Sequence, residues 1–94
     1  MYIDTHAHLN YDNKYGDIAA LLADIAAAGV DTVVNVGWNY DSSALAAEMA
    51  ENNSADGSAG APALYFAAGF HPSNLADFRT GDYERIAALL ASPK

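Results

Sequence analysis

Two histidines one residue apart, His6 and His8, close a short apolar stretch that begins Tyr2-Ile3-Asp4-Thr5. In an extended strand side chains alternate between faces, so both imidazoles fall on one side, one pleat apart. Neutral imidazoles placed this way can ligate one divalent metal ion through their ring nitrogens. Asp4 shares their parity and is expected one layer deeper on the same face. A carboxylate there would hold an imidazole N–H, fix its tautomer and strengthen the ring as a ligand. Spacing alone leaves a second reading open, a surface strand that carries two histidines. A structural zinc takes four ligands, and a His-x-His pair supplies two of them.

The elements that must position these residues follow in a regular order. Leu9 to Gly16 is polar and rich in turn formers. Asp17 can cap a first helix in which Ile18, Leu21, Leu22 and Ile25 recur at helical spacing. Gly29 stops it. Val30 to Gly37 is a β-branched run bounded by glycine, which predicts a buried strand. Trp38-Asn39-Tyr40 follows as a loop. Asp41, Ser42 or Ser43 can cap a second helix to about Glu51, with Ala44, Leu45, Met49 and Ala50 on its inner face. Asn52 to Pro62 reads as a surface loop. Ala63 to Gly69 predicts a third strand, followed by Phe70-His71-Pro72. Asp82 can cap a third helix with Ile86, Leu89 and Leu90 on its face, and Pro93 ends it.

This β-α-β-α-β-α alternation implies a parallel sheet with right-handed crossovers. Three units do not close a (β/α)8 barrel, which needs about 250 residues. The chain is therefore expected to be a small open three-layer domain or the first part of a longer one. In either case the chemistry belongs beyond the carboxyl ends of the strands. All three histidines, His6, His8 and His71, converge on that rim. Asn35, Trp38 and Asn39 lie there too. The alternative for His71 is a solvent-exposed loop residue stiffened by Pro72. For Trp38 and Tyr40 it is apolar cover over the mouth of the fold.

Composition narrows the function classes. Ninety-four residues allow one small domain, spanning 1–94. The formal net charge is −8, with Lys14, Arg79, Arg85 and Lys94 as the fixed cations. No basic stripe is available to grip a phosphate backbone, so nucleic-acid contact would need a metal or residues outside this chain. The chain has no cysteine, which excludes disulfide partners and thiolate metal sites. No apolar run approaches the roughly twenty residues of a membrane span, and no secretory leader is visible. A cytoplasmic protein with no membrane partner is expected.

Three segments, IDTHAHLN, AGVDTVVNVGWNYDSSALAAEMAE and AAGFHPSNL, in this order, resemble the TatD family of metal-dependent hydrolases within the amidohydrolase superfamily. The resemblance covers essentially the whole chain apart from the Ser54–Ala61 loop. His-x-His, then VG-x(4)-SS, then G-x-HP at these spacings form a fairly specific combination. The resemblance implies an α/β fold, the first three βα units of a TIM (β/α)8 barrel that is incomplete in this chain. It implies a DNA nuclease or phosphoesterase with a divalent metal site, often binuclear; the sequence does not fix the ion, with zinc, manganese or magnesium as candidates. DNA or a small phosphodiester would be the substrate. Carried over by position, His6 and His8 match the paired metal ligands of the first strand. His71 matches the histidine of G-x-HP, an active-site residue that meets substrate and not metal. The glutamate of a fourth strand, two further histidines and a late aspartate are expected beyond Lys94, so the catalytic residues proper are not among these 94. Three functions compete: metal-assisted phosphodiester hydrolysis, an inactive barrel fragment or interaction module, and a relative acting on an amide or ester.

Overall fold

The computed structural model describes residues 2–11, 16–53, 60–91 and 93. The loop expected through 54–59, the polar turn at 12–15 with Lys14, and Lys94 lie outside the described residues. Strand β1 covers Tyr2–Ala7, helix α1 Ile18–Ala27, strand β2 Val30–Val36, helix α2 Tyr40–Asn52, strand β3 Ala63–Ala67 and helix α3 Asp82–Leu89. A 3-10 segment, Pro72–Asp77, precedes α3.

Local chemistry sets most of these boundaries. The Asp17 side chain accepts the Ala20 N–H and starts α1, as expected. Gly29, at φ +92°, ends it in a left-handed conformation that glycine adopts without a Cβ penalty. Two expected caps shift. Asn39, read as loop, caps α2 in a reciprocal box with Ser42. Gly81, not Asp82, stands before α3. Asp82 is instead the buried first residue of that helix, where it accepts the Arg79 N–H at 2.8 Å and pairs with Arg85 at 2.9 Å. The Arg85 guanidinium also lies 3.5 Å from the centre of the Tyr40 ring, tying α3 to the start of α2.

The three strands are parallel and run in the order β1-β2-β3. Consecutive right-handed crossovers in that order put both connecting helices on one face of the sheet. Packing agrees: Leu22 of α1 and Ala46, Ala47 and Ala50 of α2 share one core with Val33, Leu64 and Phe66. The described elements thus form two layers, which corrects the expected three-layer alternative.

Register divides the apolar residues of β2 and β3 between two faces. Val34 and Val36 do not share a face with Leu64 and Phe66. Val33 pairs with Leu64 and Asn35 with Phe66, so these four turn toward the helices. Val34 pairs with Tyr65 and Val36 with Ala67 on the opposite face, where Tyr65 is 42% exposed. The face of α2 is displaced in part from the expected one. Ser43, Ala46, Ala47 and Ala50 are buried at helical spacing, whereas Ala44 and Leu45 are half-buried. Small residues there let α2 sit close to the sheet.

Candidate active site

β1 delivers the first two histidines. Its register against β2 slips between Asp4 and Ala7, where three steps on one strand match two on the other. Asp4 fills the irregularity: its Oδ1 accepts the His6 backbone N–H at 3.0 Å. Asp4 is therefore an exposed brace on the main chain, not a buried partner for an imidazole proton. Past the slip, Ala7 and Leu9 turn into the helix-side core. His6 and His8 turn the other way into a shared cleft, with ring centres 5.1 Å apart at 86°.

The position of His8 is fixed by the two residues that follow it. The Leu9 N–H donates to Asn35 Oδ1 at 2.8 Å, and the Asn10 amide donates to the Ser42 carbonyl at 2.8 Å. His8 Nδ1 lies 2.9 Å from the Val36 carbonyl. A carbonyl only accepts, so Nδ1 holds the proton and Nε2 keeps a free lone pair. That is the state in which an imidazole ligates a metal.

The first turn of α2 stitches the other two strand ends to this one. Ser42 Oγ accepts the N–H groups of Trp38 and Asn39 at 2.8 and 3.0 Å. Ser43, fully buried, takes the Gly69 N–H on its Oγ at 3.1 Å and donates to the Gly69 carbonyl at 3.3 Å. Gly37 makes the approach possible, because a Cβ there would fall 2.6 Å from the Ser43 Cα.

His71 is held by its main chain, whose N–H donates to the Trp38 carbonyl at 2.9 Å. Its Nδ1 accepts the Ser73 N–H at 3.1 Å. Ser73 Oγ lies 2.7 Å from the same nitrogen and its hydroxyl can donate there as well; with Nδ1 accepting, the proton of the neutral ring sits on Nε2. His8 and His71 thus take opposite tautomers, one leaving a lone pair at Nε2 and the other an N–H. Both line a cleft of about 590 Å3 together with His6, Tyr11, Trp38 and Phe70.

The structure accordingly brings the three sequence-predicted histidines to one rim. Trp38 joins them, with its ring centre 5.4 Å from that of His8, whereas Tyr40 lies apart under Arg85. Among the described residues no group of three or more His, Asp or Glu side chains gathers as a metal-binding cluster. Tyr11, Phe70 and the 3-10 segment are site features that sequence reasoning missed. The signal for the segment was present, since proline directly after a possible cap favours the first position of a helical turn. No described helix is long and apolar enough to cross a membrane.

The family model described as TatD related DNase matches residues 3–94. No curated protein matches the chain.

Proposed function

The chain belongs to the TatD related DNase family, and from that footing we propose that it carries the histidine rim of a metal-dependent phosphodiester hydrolase acting on DNA. The observation that supports this reading best is the pair of opposite tautomers in one cleft. His8 offers a ligand nitrogen, and His71 offers a proton donor.

The donor set suits a divalent ion of the zinc, manganese or magnesium class, zinc and manganese being the better match to imidazole. His6 and His8 would fill two coordination positions, leaving others for water, substrate oxygen and carboxylates outside the described residues. When bound, such an ion lowers the pKa of a water molecule and offsets charge on phosphoryl oxygens. The protein groups do the positioning. Val36 fixes the His8 ring through its carbonyl, and Asp4 braces the His6 main chain. The His71 Nε2–H is a donor for a phosphoryl oxygen, worth most where charge grows as the diester is attacked.

The proposal includes the barrel. Sequential strand order, helices on one face, and Val34, Val36, Tyr65 and Ala67 on the other suit the opening units of a (β/α)8 barrel. A second reading, a module that binds without turnover, draws on the two-histidine donor set alone.

Metal analysis and a nuclease assay of the full reading frame test the proposal, beside a panel of amide and ester substrates. Metal-dependent DNA cleavage that is lost in the His6→Ala, His8→Ala double variant supports it. Cleavage at the wild-type level in that variant, or turnover confined to amides or esters, overturns it.

A further inference from the structure

The cleft has aromatic walls around its imidazoles. Tyr11 and Trp38 pack on each other with ring centres 4.8 Å apart at a tilt of 36°. Both also meet His8, at 6.2 and 5.4 Å. On the other side Phe70 lines the cleft, backed edge-to-face by Phe78 at 5.1 Å. Tyr11 is 45% exposed, an unusual position for a ring whose purpose is core packing.

Charge supplies the second observation. Among the described residues lining the cleft none is Lys or Arg, and the whole chain carries a net charge of −8. Nucleic-acid binding ordinarily takes its affinity from cations on phosphates. Among the described residues of the rim that source is missing. Base stacking on aromatic rings is the other general source, and it is independent of base identity because every base has a π face.

We propose that Tyr11 and Trp38 form a stacking subsite for the base of the nucleotide next to the scissile phosphate, in an unpaired strand. This rests on the hydrolase reading above and deepens it. An unpaired base can leave its neighbours and stack on a side chain, whereas a paired base cannot do so without unpairing.

Trp38 is the sole tryptophan among these 94 residues, and the difference in fluorescence between the parent protein and its Trp38→Phe variant reads the contact directly. The test titrates the full-length protein, held in chelator to prevent cleavage, with a single-stranded oligothymidylate and with an abasic oligomer of equal length. The expected result is saturable quenching by oligothymidylate, with the abasic oligomer binding roughly tenfold more weakly. Between 50 and 200 mM salt the affinity is expected to fall by less than about tenfold, well short of the loss shown by proteins that bind through many phosphates. In the metal-loaded protein, Trp38→Ala should erase the preference for base-bearing over abasic DNA through KM, and Trp38→Phe should restore most of it. Equal quenching by the two oligomers, or a Trp38→Ala variant that keeps the preference, overturns the subsite. Base-dependent quenching without any DNA cleavage would leave the subsite standing and remove the hydrolase reading. Cleavage indifferent to the abasic lesion would do the reverse.

Discussion

The His71 N–H donates to the Trp38 carbonyl at 2.9 Å, which couples the loop after β2 to the loop after β3. Ser42 in turn holds the Trp38 and Asn39 amides from the first turn of α2. The aromatic wall and the proton-donating histidine are thereby parts of one bonded unit. Replacing Asn39 by alanine breaks the reciprocal cap at its centre. The expected cost is about 1 kcal/mol of stability, read as a lowered Tm. Because Ser42 Oγ can still hold both amides, the cleft should keep its shape.

The tautomers can be observed without any assay of activity. Long-range 15N correlation spectra of the metal-free protein, recorded at a pH where the rings are neutral, should show His8 protonated at Nδ1 and His71 at Nε2. The reason is the partner in each case, the Val36 carbonyl for one and the Ser73 amide for the other. The same tautomer at both rings would remove the division of labour between ligand and donor.

His71→Asn separates the two jobs of that ring. An asparagine oxygen can accept the Ser73 N–H in place of Nδ1, so the turn into Pro72–Asp77 is kept. The shorter side chain does not extend to where Nε2 stood. Thermal stability is expected to change little, while kcat on a phosphodiester falls by about a hundredfold, the scale of one lost donor to developing charge. A variant with unchanged kcat would make His71 a structural cap only.

Much of the architecture was legible in the chain. Apolar periodicity and two turn glycines located the strands and α1 within a few residues, and the rim rule then gathered His6, His8 and His71. What escaped has a common cause. Strand alternation was carried through as if unbroken, yet the slip between Asp4 and Ala7 moves Asp4 out of parity with the histidines. Relative register between strands is likewise absent from a single sequence, so nothing in the chain reveals that Val34 and Leu64 lie on opposite faces. Met49 and Ala50 of the expected α2 face do meet the core, whereas Ser43, Ala46 and Ala47 escape expectation because they are serine and alanine. Close approach to the sheet selects small side chains there, and hydrophobicity alone does not reveal that.

Gly37 is one such close approach. Its missing Cβ would meet the Ser43 Cα at 2.6 Å, and backbone in a helix's first turn cannot yield as a side-chain tip can. Gly37→Ala should lower stability by about 1–3 kcal/mol, as overpacking does. It should also release the Ser43 clamp on Gly69 and so loosen His71. Chemical denaturation gives the first quantity, and amide hydrogen exchange at Gly69 gives the second.

The remaining prediction concerns the sheet face that turns away from the helices. Val34, Val36 and Tyr65 present apolar surface there, and on β1 Tyr2 and Ile3 are exposed as well. Parallel strands are ordinarily covered on both faces. At about 25 cal/mol per Å2, a few hundred Å2 left in water forgoes several kcal/mol, comparable with the whole stability of a small domain. Residues 1–94 expressed alone are therefore expected to bind an apolar dye, to melt broadly, and to lack nuclease activity with added manganese. In the full reading frame Tyr65→Asp should be strongly destabilising if further strands bury this face. In the 94-residue chain, where Tyr65 is 42% exposed, the same change should cost much less. A sharp cooperative melt of the isolated chain, with no dye binding, would show that the two described layers are a sufficient core.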